Sequence, residues 1–94
     1  MRFLAALAVT LPSLLSAETI TFESDEEIMI VRGVQMLSHA NFELLGNKDG
    51  QIQCVAIDAN GKPLAVSTGY AEIGSIMFTD MQTSDIAKVA CRYR

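Results

Sequence analysis

Cys54 and Cys91 constrain this chain more than any other feature, because they are its only thiols and both follow a leader of the export type. Arg2 supplies a positive start. Phe3 to Leu15 form an apolar run interrupted by Thr10, Pro12 and Ser13, and Ser16-Ala17 offers small residues to a peptidase. The expected organisation is a secretory signal peptide over residues 1–17, cut after Ala17, followed by a single domain over residues 18–94. A membrane-spanning helix needs about 20 apolar residues, more than this run supplies, so no stable membrane insertion is expected after cleavage. No cysteine directly follows the run to carry a lipid, and the very short positive segment suits bacterial export. The expected location is periplasmic or secreted.

An oxidising compartment gives the cysteines a role. A domain this small buries little surface and commonly needs a covalent staple. One pair has one intramolecular connectivity, so Cys54–Cys91 is the expected disulfide. A CxxC redox pair would place both thiols on one turn, which this spacing excludes. Zinc prefers four ligands, and two cysteines with the single histidine, His39, fall short of that set. No metal and no cofactor are expected.

Charge narrows the partners. The chain holds 7 Lys plus Arg against 11 Asp plus Glu, for a net charge of −4, and loss of Arg2 makes the remainder more acidic still. Such a domain repels phosphate backbones and anionic lipid, which argues against nucleic acid. Glu23, Asp25, Glu26 and Glu27 form the densest acidic run and read as solvated surface.

The remaining pattern is dominated by a period of two. Thr19 to Glu23 alternates, with Ile20 and Phe22 pointing inward, and so does Asn41 to Leu44. Gly46-Asn47-Lys48-Asp49-Gly50 reads as a hairpin turn leading to a return strand from Gln51 to Ile57, in which Ile52, Cys54 and Ala56 share one face. Asp58 to Pro63 reads as a second hairpin turn centred on Asn60-Gly61, followed by an extended Leu64 to Gly69. Tyr70 to Thr79 is one strand broken at Gly74, or two short ones. Ile86 to Arg94 places Ala87, Val89, Cys91 and Tyr93 together, so both cysteines sit on apolar faces of separate strands. Ser24 to Ala40 is ambiguous. Ser24 and Glu27 have capping-box spacing for a helix, whereas Ile28, Ile30, Val31 and Val34 are β-branched and favour two strands, Ile28 to Val31 and Val34 to Leu37, around Arg32-Gly33. Met29, Met36, Met77 and Met81 read as core fillers, with an exposed, adaptable binding surface as the alternative.

Catalytic signals are sparse. His39 needs a nucleophile beside it and an orienting acid behind it, and the neighbouring Ser38 would point to the opposite face of a strand. No GxSxG, HExxH, P-loop or dinucleotide-binding glycine pattern occurs. The Asp/Asn-rich turns before Gly50 and Gly61 fail as calcium loops, because Leu45 or Ala56 would stand where the first ligand belongs. The expectation is therefore not an enzyme and no small-molecule substrate, with a small enzyme or metal protein using His39 as a remote alternative.

The stretch Ser84-Asp85-Ile86-Ala87-Lys88-Val89-Ala90-Cys91 resembles the immunoglobulin-family pattern leading into the strand of the second core cysteine, and Gln51 to Ala56 resembles the strand of the first. Val89 stands where that pattern has a tyrosine, and the chain has no tryptophan. The resemblance implies an all-β fold, a small immunoglobulin-like antiparallel β-sandwich, with Cys54–Cys91 as its intersheet core disulfide. Sandwiches host unrelated activities, so function is argued separately. The leading expectation is a disulfide-stapled interaction module that binds another exported protein through an edge strand or loop. In size, export, acidity and β pattern the chain is also similar to periplasmic chaperones of the curli-inhibitor type, which implies the alternative of a chaperone or inhibitor of fibre-subunit assembly.

Overall fold

Alternation of apolar and polar residues becomes a two-sheet structure because each strand has one face to hide. The computed structural model describes residues 20–94; the leader assigned to 1–17 and the domain start at 18 lie outside the described residues. Seven strands follow in order: β1 Thr21–Ser24, β2 Ile28–Met36, β3 His39–Gly46, β4 Gln51–Ile57, β5 Pro63–Tyr70, β6 Ser75–Thr79 and β7 Lys88–Tyr93, with a 3₁₀ turn at Thr83–Asp85. One sheet has the order β1-β7-β4-β5 and the other β2-β3-β6. The described residues thus form an all-β fold with two sheets and one disulfide. Among the described residues, no helix is long and apolar enough to cross a membrane.

The inward faces meet in a single core. Ile52, Cys54 and Ala56 of β4, with Val89 and Cys91 of β7, face Ala40, Phe42 and Leu44 of β3 and Ile76 and Phe78 of β6. The period-two reading of β4 and β7 therefore holds. Phe42 is the pivot, stacked edge-on against Phe78 at 5.9 Å and against Phe22 of β1 at 6.1 Å between ring centroids. Its ring lies over Gly33, where an added Cβ would stand 2.8 Å from Cδ1, so β2 needs a residue without a side chain there.

Cys54 and Cys91 are bonded and lie directly opposite one another on β4 and β7, with Cα atoms 4.1 Å apart. This short separation belongs to the close, non-hydrogen-bonded type of antiparallel pair. The bond therefore joins neighbours within one sheet, which corrects the intersheet disulfide implied by the immunoglobulin pattern. The antiparallel description also needs one amendment. β1 runs parallel to β7, from Thr21 opposite Lys88 to Ser24 opposite Cys91.

The turn at residues 46–50 forms, but it is not a hairpin. β3 pairs with β2 and β6, while β4 pairs with β5 and β7, so this connection passes from one sheet to the other. Tyr93 clamps it: the phenol donates to the Lys48 carbonyl at 2.6 Å, and the Lys48 ammonium lies 4.7 Å above the ring. The Asn60-Gly61 turn does close a hairpin, between β4 and β5. Asp58 Oδ1 accepts from the amides of Asn60 and Lys62, each at 2.9 Å, and Gly61 takes a φ of 84°. Of the stretch Tyr70 to Thr79, only Ser75–Thr79 forms a strand of its own, β6; Tyr70 ends β5, and residues 71–74 form the turn that carries the chain to the other sheet.

Residues 24–40 contain no helix. β2 is one continuous strand, and its pairing with β3 shifts by one residue between Ile30 and Arg32, placing a bulge at Val31. Ser24 does not cap a helix; its hydroxyl donates to the Ile28 carbonyl at 2.8 Å. The β-branched run prevails because Ile28 and Ile30 enter the core as strand residues.

The disulfide closes a loop with a sequence separation of 37. In the chain-entropy model such a cross-link stabilises by about 4 kcal/mol. Urea unfolding with and without a reductant is expected to show a loss of that order, and unchanged stability after reduction would remove the staple from this account.

Candidate functional site

β2 stands out among the strands because it is apolar on the side that should be polar. Its pairing with β3 places Met29, Arg32, Val34 and Met36 on the outer face, opposite Leu45, Glu43, Asn41 and His39. Met29 is 61 % exposed and Met36 51 %, and Val31 at the bulge and Val34 are also exposed. Met77 of β6 projects from the same face beside Asn41. Three of the four methionines read as core fillers are therefore on the surface; Met81 alone packs against the core. Alternation allots residues to faces, but in β2 both faces are apolar, and only the position of the second sheet selects which is covered.

The strand ends in a strained tip. Leu37 and Ser38 connect Met36 to His39, and Leu37 adopts a φ of 54° while 94 % exposed. A leucine gains nothing from that conformation, which glycine and asparagine adopt more readily. Gln35 fixes the same end: its amide nitrogen donates to the Leu37 and Met81 carbonyls, at 2.9 and 3.3 Å, and its oxygen accepts from the Thr83 amide at 2.6 Å.

β2 is also an edge strand. Among the described residues, its side away from β3 pairs with no strand. That side opens onto a trough between the two sheets, formed by two hollows of about 470 and 540 Å³ that share Phe22 as a wall. Glu26 and Glu27 rim one end of it. The opposite side of the sandwich is shut. Ser67 Oγ of β5 donates to the Met77 carbonyl of β6 at 2.8 Å, and a Cβ on Gly69 would come within 2.9 Å of the Ser75 carbonyl oxygen.

Electrostatics around the strand are modest. Arg32 pairs with Glu43, Nε to Oε1 at 3.0 Å, and the hydrogen bond and charge of Glu43 hold the guanidinium above its usual pKa. Lys48 pairs with Glu27 and Lys88 with Glu23, at 3.4 and 3.1 Å. The acidic run is thus partly neutralised, and Glu26 forms no ion pair among the described residues. The outer face of the four-stranded sheet is more polar, with Gln51, Gln53, Thr68, Lys88 and Arg92 interleaved among its apolar residues.

His39 lies at the start of β3, between Met36 and Thr79 on neighbouring strands. Its Nδ1 is buried without a hydrogen-bond partner. Among the described residues, no group of three His, Cys, Asp or Glu side chains is placed to hold a metal ion. Cys54 and Cys91 are engaged with each other in the core. The apolar edge strand was the feature the sequence reading missed, although the dense run Ile28 to Leu37 was its signal.

No protein-family model, curated protein or solved structure matches this chain.

Leu37→Asn is expected to stabilise the protein by about 1 kcal/mol in urea unfolding, because it relieves the left-handed leucine and removes no buried contact. A loss of stability would show that Leu37 is held by interactions its exposure conceals.

Proposed function

We propose that the protein is an exported interaction module, rather than an enzyme, that binds another exported protein through β2. The reading is carried by one observation: an edge strand and its tip expose Met29, Val31, Val34, Met36 and Leu37. Natural proteins blunt such edges with charge, proline or cover, so a long apolar edge left open marks an interaction surface. A disulfide in a small β domain fits a periplasmic or extracellular location, and the leader read at 1–17 supports export.

The finer fold assignment is immunoglobulin-like. Its support is the Greek-key interlock, in which β3 pairs with β6 in one sheet while the strands that follow them, β4 and β7, pair in the other. The within-sheet disulfide and the parallel β1 would be this chain's own departures from that family.

The three exposed methionines favour a second reading. Unbranched thioether side chains repack against varied apolar partners, as a chaperone or inhibitor of fibre-subunit assembly requires.

Capture from periplasm or culture medium on the immobilised protein, compared with Met29→Asp and Met36→Asp variants, tests the proposal. Both positions are exposed, so each change is expected to alter stability by no more than about 0.5 kcal/mol. The expected result is one dominant protein partner whose recovery falls at least about tenfold with either variant, equivalent to the loss of about 1.4 kcal/mol of binding. Equal recovery on both variants would exclude β2 as the binding surface. A fibre subunit as the partner would select the chaperone reading, and an envelope component the module.

A further inference from the structure

The hydrogen bonding of the three-stranded sheet shows which backbone groups of β2 are unused. In an antiparallel sheet, alternate residues turn their N–H and C=O to opposite neighbours. Leu44 gives its amide to the Gly74 carbonyl, on the β6 side, at 2.9 Å. Leu44, Phe42 and Ala40 therefore bond toward β6, and Leu45, Glu43, Asn41 and His39 bond toward β2. The β2 residues opposite this second set are Met29, Arg32, Val34 and Met36, so Ile28, Ile30, Gly33 and Gln35 turn their groups to the open side. Ile28 is already satisfied there, by the Asp25 carbonyl at 3.0 Å and the Ser24 hydroxyl at 2.8 Å. Ile30, Gly33 and Gln35 are left facing the trough.

We propose that this edge takes up an extended, apolar and basic segment of a partner protein as a fourth strand of the β2-β3-β6 sheet. The proposal rests on the reading of β2 as the binding surface and adds the mode of binding and the chemistry of the occupant. An extended backbone is the ligand that matches a row of free amides and carbonyls at strand spacing. Side chains on one face of the segment enter the trough beside Phe22 and Val31, and those on the other face continue the row of Met29, Val34 and Met36. The trough wall is apolar at Phe22 and Val31, and its rim carries Glu26, which forms no ion pair among the described residues, beside Glu27, which Lys48 engages at 3.4 Å; the free carboxylate of Glu26 selects a lysine or arginine at one end of the segment. A second copy fits less well. It is equally acidic, and antiparallel pairing about the middle of β2 would bring Arg32 against its own equivalent.

The test uses the purified protein with its disulfide intact and a synthetic peptide that alternates valine and threonine and carries lysines at one end. A control peptide has alternate backbone amides N-methylated. Amide hydrogen exchange, read residue by residue by NMR, is expected to slow by at least about tenfold at Ile30, Gly33 and Gln35 with the first peptide and to be unchanged with the control. The effect should weaken at high salt, where the acidic rim is screened, and disappear in Val31→Lys, which puts a cation into the trough at an exposed position. Absence of slowing at these amides at millimolar peptide overturns the proposal, as does slowing on β5 or β6 instead. Concentration-dependent slowing without peptide would assign the edge to a second copy. If capture of the natural partner is lost in Met36→Asp but these amides never gain protection, strand addition fails while β2 remains the binding surface. If neither experiment responds, both readings fall.

Discussion

The antiparallel pairing of β4 with β7, locked at its centre by Cys54–Cys91, is the interaction on which the rest of the structure depends. β7 holds β1 on its far side and β4 holds β5, so the four-stranded sheet is assembled outward from this pair. Its inner face supplies Ile52, Ala56 and Val89 to the core, and Phe42, Leu44 and Phe78 of the opposite sheet pack there. A domain of this size has few apolar side chains to spare, and a cross-link between strands distant in sequence restricts the unfolded chain where ladder bonds alone would have to overcome loop-closure entropy. Tyr93, on the same strand as Cys91, extends the pin to the connection between sheets by clamping Lys48.

With its centre fixed, the sandwich is asymmetric at its sides. β5 and β6 approach so closely that Gly69 admits no side chain, and Ser67 bonds across the gap. β1 and β2 leave a trough instead, because β1 is four residues long and covers only part of the neighbouring edge. Phe22 fills the trough from β1 and remains partly exposed while touching Phe42. The open side of the fold and the strand with the most exposed apolar residues therefore coincide.

Strain and polarity point to the same place. Leu37 in a left-handed conformation, a bulge at Val31 and a glycine under the Phe42 ring all fall on β2 or its tip. The bulge at Val31 and the charged Arg32 are devices that limit indiscriminate pairing along such an edge. Stability and recognition are separated in space. The disulfide lies in the four-stranded sheet, and the candidate surface is the edge of the three-stranded one.

Much of this was legible in the chain itself. Period-two alternation placed Ile52, Cys54, Ala56, Val89 and Cys91 on buried faces, because that pattern is local, and two thiols admit a single pairing. The Asn60-Gly61 turn was legible for the same reason, since Asp58 and the glycine satisfy it within five residues. Tertiary structure alone decided that β3 and β4 part at Gly46 to Gly50 and that the disulfide lies within a sheet, because turn residues specify a reversal of direction and not the neighbour a strand will take. It also decided that Met29, Met36 and Met77 face outward. Both faces of β2 are apolar, and a second sheet can cover only one of them.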